Sequence, residues 1–365
     1  TGNEIMMRHG IPMAGNHLMT ELVLVTGAVE ALIVDYQCIM PSLGRIAKCY
    51  HTKMFSTSDK AYFPEAVPFE ITPENAISKA RELVKTAIMN YPNRQQGKVF
   101  IPDTPVKQMT GFSVESLLEA MGGTLTPILD AIKDGSIRGA VGIVGCNNPR
   151  IQHDSSHRRI IQHLIANDIL VLTTGCVSIA VAKAELKTLD AIKHAGPGLK
   201  KVCAALGIPP VLHMGSCVDN SRLLVLTSAL ANALGVDISD LPVAAAAPEW
   251  YSEKAVAIGT YAVASGITTF LAPMPPVSGS DKVVELLTNN LEDVVGARFV
   301  VELDPVMAAH KIVAHIEEKR LGLGLDCSYR CILLDTNDIH FPIAAANVSK
   351  ASNYTAHGVK SKSCI

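Results

Sequence analysis

Val141-Gly-Ile-Val-Gly-Cys146, Val171-Leu-Thr-Thr-Gly-Cys176 and Val211-Leu-His-Met-Gly-Ser-Cys217 share one pattern, in which a short β-prone run meets a glycine and then a cysteine. Such runs read as buried strands, and Gly145, Gly175 and Gly215 let the backbone turn tightly beside the next helix. The thiols should therefore emerge at one edge of a sheet. Strand-then-helix alternation recurs on both sides: Gly139 to Gly145, Ile169 to Thr173, Pro210 to His213, Val243 to Ala247, Thr268 to Leu271 and Phe299 to Glu302 each precede a helical stretch. That rhythm predicts a parallel, doubly wound sheet, whose ligands bind outside the carboxyl ends of the strands at a topological switch point.

Upstream, residues 11 to 30 carry helical periodicity, Ala31 to Tyr36 reads as a strand leading to Cys38, and Glu74 to Met89 as a helix opened by Thr72-Pro73. Pro92 to Pro105 reads as a linker, and Ser113 to Lys133 resumes a helical pattern. The expected architecture is α/β, with two Rossmann-like domains and mainly parallel sheets: residues 1–105, then 106–325. Residues 326–365, holding Cys327, Cys331 and Cys364, lack amphipathic periodicity and are expected to form a poorly ordered tail.

With 365 residues, 48% of them hydrophobic, and a net charge of -2, the chain offers no basic field for nucleic acid or an anionic membrane. Its most apolar stretches, such as Leu223 to Val236, are shorter than the ~20 residues that span a bilayer. No membrane span is expected. The opening Thr1-Gly-Asn-Glu has neither the basic nor the apolar region of a signal peptide, which suggests a truncated or processed cytoplasmic product. Nine cysteines are an odd number in a long aliphatic chain, so reduced thiols or metal ligands fit better than disulfides.

Any one of Cys38, Cys146, Cys176 and Cys217 reads equally well as a small buried hydrophobe. Four at strand ends read better as soft ligands for a metal or an iron-sulfur cluster, since a helix N-terminus also favours thiolate. Their wide dispersal matches no compact ferredoxin or zinc-ribbon motif, so the pattern by itself names no cluster. Cys49 and Cys203 lack the strand-glycine context and read as core thiols. His153 and His213 stand near these turns and read better as partly buried structural histidines than as groups that shuttle protons.

Six motifs then become specific: T-G-N-E-I-M-M-R-H-G-I-P from Thr1, V-D-Y-Q-C-I-M-P-S-L from Val34, G-I-V-G-C-N-N-P-R from Gly142, V-L-T-T-G-C ending at Cys176, H-M-G-S-C-V-D-N-S-R around Cys217 and P-E-W-Y-S-E-K-A-V-A-I-G from Pro248. In this order they resemble the nickel-dependent carbon monoxide dehydrogenases, from Thr1 to about Leu325. The resemblance implies a Ni-Fe-S cluster in which Cys38, Cys146 and Cys176 hold irons and Cys217 holds nickel. It further implies that Lys254 stabilises charge on a carboxylate oxygen and that Ile258 crowds the nickel and shapes CO access. The implied reaction converts CO and water to CO2, two protons and two electrons. The implied partners are a ferredoxin-like electron carrier, a second copy in a homodimer and, in some members, acetyl-CoA synthase.

In that family an outer iron takes a histidine from an earlier segment and a cysteine immediately before T-G-N-E, and further [4Fe-4S] clusters lie in an N-terminal helical region. With Thr1 as first residue, the sequence contains none of these, and the chain alone is expected to be inactive. Two alternatives stand beside this reading: a hybrid-cluster oxidoreductase, which would contain iron without nickel, and a non-catalytic fragment. A nucleotide-binding Rossmann enzyme fits less well, because no G-x-G-x-x-G opens a helix after a strand.

Overall fold

The computed structural model describes residues 3–35, 37–60, 63–104 and 108–326. Two parallel sheets organise them. The first holds β1 (Ala31–Val34), β2 (Lys53–Ser56) and β3 (Val67–Pro68) in that order. The second holds β4 (Gly139–Ile143), β5 (Ile169–Thr174), β6 (Val211–Gly215), β7 (Val243–Ala247), β8 (Thr269–Leu271) and β9 (Phe299–Val301).

The spatial order of the second sheet is β6-β5-β4-β7-β8-β9, every neighbouring pair parallel. Counted from β4, this is the 3-2-1-4-5-6 order of a doubly wound fold, and the direction of winding reverses between β4 and β7. Alternation along β4 shows helices on both faces. Ala140 and Gly142 look toward helices Asn220–Leu234 and Glu253–Ala264, whereas a Cβ at Gly139 would meet Ile316 of helix Pro305–Gly322. Strands covered on both sides should be apolar throughout, and Val141, Ile143, Ile169, Val171 and Leu212 are fully buried.

The largest core cluster runs through this second sheet and its helices. A buried ion pair ties its ends together. Arg138, just before β4, donates from Nε to Glu317 Oε1 at 2.7 Å and from Nη2 to Glu317 Oε2 and to the Asp326 carbonyl. The first sheet has smaller clusters, around Leu24, Leu43 and Met54 and around Phe55, Phe69 and Leu83. Its β1 leaves Ile33 half exposed.

Several sequence expectations change in detail. Residues 11 to 30 form only a 3-10 turn at His17–Met19 and a short helix at Thr20–Val25, because Gly10, Pro12 and Gly15 break the preceding stretch. The helical run from Ser113 splits into Val114–Ala120 and Thr126–Lys133, since Gly122 and Gly123 both take positive φ between them. Strands β2 and β3 were not anticipated. Of the tail, Cys327, Cys331 and Cys364 lie outside the described residues.

Candidate metal centre

Three turns of the second sheet are laced together by their own backbone. The Gly145 carbonyl accepts from the Cys176 N–H at 3.1 Å, and the Gly215 carbonyl accepts from the Gly175 N–H at 2.9 Å. Each of these glycines has a positive φ, 103° at Gly145, 69° at Gly175 and 134° at Gly215, a conformation that side chains oppose. At Gly175 the requirement is also steric: an added Cβ would fall within 3.0 Å of the Cys217 sulfur. Cys217 itself opens a 3-10 turn, Cys217–Asp219, fixed by a capping box in which Asp219 accepts from the backbone N–H of Ser216 at 2.6 Å and from its hydroxyl at 2.7 Å.

Cys146, Cys217, Lys254 and Ile258 line one small pocket with Val144, Gly145, Asn220, Ala247 and Ala255, directly beyond the ends of β4 and β7. This is the switch point of the sheet. Cys38 reaches the same place from the first sheet, its sulfur 3.4 Å from Lys254 Nζ. It does so in the left-handed conformation at φ 54°, a strained position for a residue with a side chain. The Cys176 sulfur lies 3.5 Å from His17 Nδ1, and that of Cys146 lies 3.7 Å from the Ser252 hydroxyl.

Electrostatics define the site further. Burial pushes the Cys217 thiol up to about 11 against the opposing pull of Lys254, and burial raises Cys176 further still, helped by the other three sulfurs. Neutral thiols in such a place become thiolates only when a cation takes the proton's position. Burial works against the Lys254 ammonium, but Cys217, Cys38 and Cys146 outweigh it and hold its pKa above the ordinary lysine value. His17 is lowered by burial and by the charges of Lys254 and His153.

Around a single ion with bonds of about 2.3 Å, tetrahedral sulfurs stand roughly 3.8 Å apart. Among the described residues no three cysteines bring their sulfurs within 4.8 Å of one another. Soft thiol donors brought together from separate strand ends suit a soft metal or an iron-sulfur cluster.

The described residues that do meet that distance are Asp154, His157 and Glu249, all buried. The oxygens of the two carboxylates are already engaged, whereas the ring nitrogens of His157 have no hydrogen-bond partner. Glu249 accepts from Asn147 Nδ2 at 2.9 Å and from the backbone N–H groups of Asp154 at 3.2 Å and Ser156 at 3.0 Å. Asp154 accepts from Asn147 at 2.7 Å and from Lys183 at 2.5 Å. A cation here would have to displace an ammonium and several N–H donors, so the group acts as a clamp. Glu249 caps helix Ser155–Ala166 from a distance and joins the loop after Cys146 to the turn that leads to Lys254.

All six residues singled out from sequence, Cys38, Cys146, Cys176, Cys217, Lys254 and Ile258, thus gather at one place. His213 does not join them: it is buried beside Thr173, with its pKa pushed down to about 3 by burial and by Lys187. His153 meets Asn16 Nδ2 at 2.8 Å. Cys203 is a core thiol as expected, but Cys49 is only half-buried, its sulfur 3.5 Å from the Arg45 carbonyl. Sequence reading missed His17, Asn220 and Glu249. Asn220 and Glu249 lay inside quoted motifs, whereas His17 reaches Cys176 only through the fold.

The Prismane/CO dehydrogenase family model matches residues 1–306. Carbon monoxide dehydrogenase 1 of Methanosarcina mazei is 57% identical over 326 residues, covering 89% of this chain and 52% of that protein. Carbon monoxide dehydrogenase of Rhodospirillum rubrum is 44% identical over 339 residues, covering 89% and 53%. A nickel-free crystal structure of carbon monoxide dehydrogenase from Thermococcus sp. AM4 superposes with a TM-score of 0.86 at 56% identity, covering 89% of this chain and 51% of that one. The chain spans about half the length of the curated relatives it matches. On this evidence it belongs to the Prismane/CO dehydrogenase family.

Proposed function

We propose that this chain supplies four thiolates and a fixed cation to the Ni-Fe-S centre of a carbon monoxide dehydrogenase, which converts CO and water to CO2, two protons and two electrons. The observation that carries the reading is that Cys146 and Cys217 line one pocket with Lys254, with the Cys38 sulfur 3.4 Å from Lys254 Nζ and the Cys176 N–H bonded to the Gly145 carbonyl beside that pocket. Cys38, Cys146 and Cys176 would hold iron and Cys217 nickel. When bound, the centre accepts the electron pair that leaves CO.

The chain's own groups do the rest. Lys254, raised and half-buried, stays charged at neutral pH and stabilises the negative oxygen that develops as CO becomes a carboxylate. Ile258 lines both this pocket and the apolar cavity behind it, which is bounded by Ala140, Leu223 and Ala262, so it narrows the way for a small uncharged gas. Electrons would pass to a ferredoxin-like carrier by way of [4Fe-4S] clusters upstream of this chain. The working enzyme would be a cytoplasmic, anaerobic homodimer, with acetyl-CoA synthase as a partner in some settings. No described helix is long and apolar enough to cross a membrane.

The test is anaerobic metal and sulfide analysis of the chain reconstituted with iron, sulfide and nickel, beside a form extended upstream by the region its relatives carry. Nickel and iron uptake with CO oxidation in the extended form, lost on Cys217→Ala, is the expected result; the 365-residue chain alone should turn CO over poorly. Iron without nickel and no CO oxidation would overturn the reading in favour of a hybrid-cluster enzyme.

A further inference from the structure

Asn220 is the first residue of helix Asn220–Leu234 and lines the pocket together with Cys217, Lys254 and Ile258. It is 9% exposed, and its Oδ1 accepts from the Thr174 hydroxyl at 2.7 Å. The amide is placed with Oδ1 toward this hydroxyl and Nδ2 at its other end. Nδ2 is buried without any hydrogen-bond partner. A buried amide donor left without an acceptor is costly, so an orphan at the wall of a reaction pocket points to a ligand.

The chemistry of the donor selects the ligand. CO is a poor hydrogen-bond acceptor and gains little from an amide. The oxygens of CO2 and of the carboxylate through which it forms carry the charge that develops during reaction, and Lys254 faces the same pocket from helix Glu253–Ala264. An ammonium and an amide on two helices make a pair of preorganised donors for such oxygens, the arrangement that stabilises a transition state more than a ground state. Thr174, fully buried at the end of β5, keeps the amide oriented so that little reorganisation accompanies the reaction.

We propose that Asn220 is a second catalytic hydrogen-bond donor, its Nδ2 binding a carboxylate oxygen of the reacting CO2 unit opposite Lys254, with Thr174 as its positioning residue. This rests on the carbon monoxide dehydrogenase reading above. The role needs no titration of the group, so pH-independence of the effect belongs to it.

The experiment uses the metal-reconstituted, upstream-extended enzyme and compares Asn220→Leu and Thr174→Val with the parent. Expected for Asn220→Leu are unchanged nickel and iron per chain, an unchanged KM for CO, and a kcat at least tenfold lower at every pH. The infrared stretch of bound 13C-labelled CO2 should shift as a donor is removed. Thr174→Val keeps a strand-favouring shape and should lose three- to tenfold through the loosened amide, which serves as the test if Asn220→Leu does not fold. Two outcomes overturn the proposal: kcat within twofold of the parent, or a fall in nickel or iron, which would mean that the amide serves the metal ligands. If the parent takes up no nickel and oxidises no CO, the functional reading itself has failed.

Discussion

Gly175→Ala isolates the steric logic of the site, and Gly207→Ala is its matched control. The two glycines share a left-handed backbone, φ 69° and 65°, so both alanine variants carry the same conformational penalty of about 1–2 kcal/mol. They differ in surroundings. A Cβ at Gly207 meets nothing within 4 Å, whereas one at Gly175 intrudes within 3.0 Å of the Cys217 sulfur. Non-bonded heavy atoms rest about 3.5–4.0 Å apart, so that sulfur must retreat by at least ~0.5 Å. Metal-sulfur bonds tolerate only about 0.2 Å. The Cys217 bond should therefore fail first, since the next contact of that Cβ, the Gly145 carbonyl, is less close. Four-ligand thiolate and histidine sites bind zinc with about 10–16 kcal/mol, so one lost ligand costs about 3 kcal/mol, or roughly a hundredfold in occupancy. Elemental analysis after anaerobic reconstitution should show nickel falling steeply in Gly175→Ala with iron largely retained, and both metals normal in Gly207→Ala. Equal nickel in the two variants would refute the assignment of Cys217 and the tightness claimed for its turn.

Other outcomes follow from the same geometry. Lys254→Gln should leave metal content intact and lower kcat for CO oxidation about 10²–10³-fold, the usual cost of losing a donor at developing charge; a change under tenfold would remove Lys254 from the chemistry. Glu317→Ala leaves the Arg138 guanidinium buried without its carboxylate beside the fully buried Arg320, and should cost about 3–5 kcal/mol in urea denaturation, whereas a loss under about 1 kcal/mol would contradict the ion pair's role. Burial lowers His213 to about 3, and burial also lowers His163 and His315 to about 4, from an ordinary 6.5. The unfolded chain therefore binds protons below pH 6.5 that the folded chain refuses until pH 4 or lower, so stability drops as the pH is lowered through that window, by up to about 1.4 kcal/mol per pH unit for each histidine. Stability measured from pH 7 to 4 that stays flat would rule this out.

The second sheet was legible because its strands are covered on both faces. A strand buried twice must be apolar throughout, so Gly139 to Gly145 and Val243 to Ala247 announce themselves without any alternation, and the strand-helix rhythm then dictates parallel pairing. The first sheet hides for the opposite reason. Its β2 is short, β3 ends on Pro68, and β1 leaves Ile33 half exposed, so neither length nor pattern separates these strands from loop. Residues 11 to 30 misled because apolar residues recur at helical intervals while Pro12 and Gly15 deny the backbone a continuous helix.

The site divides along the same line. A doubly wound sheet gives every strand the same carboxyl edge, so cysteines placed one turn beyond β4, β5 and β6 must meet there, whatever their separation in sequence. That convergence could be reasoned from spacing and fold class together. What could not be reasoned is which polar neighbours complete the pocket, because Asn220 bonds to Thr174 across 46 residues and Glu249 to Ser156, Asp154 and Asn147 across 93, 95 and 102. Helix termini supply the explanation for both. Asn220 begins one helix and Glu249 caps the start of another, and positions at helix starts face the same edge as the strand ends that feed them. The sheet order thus brings a second set of residues to the metal edge: polar groups that satisfy helix N-termini and, where one donor remains unpaired, can be turned toward the reacting molecule.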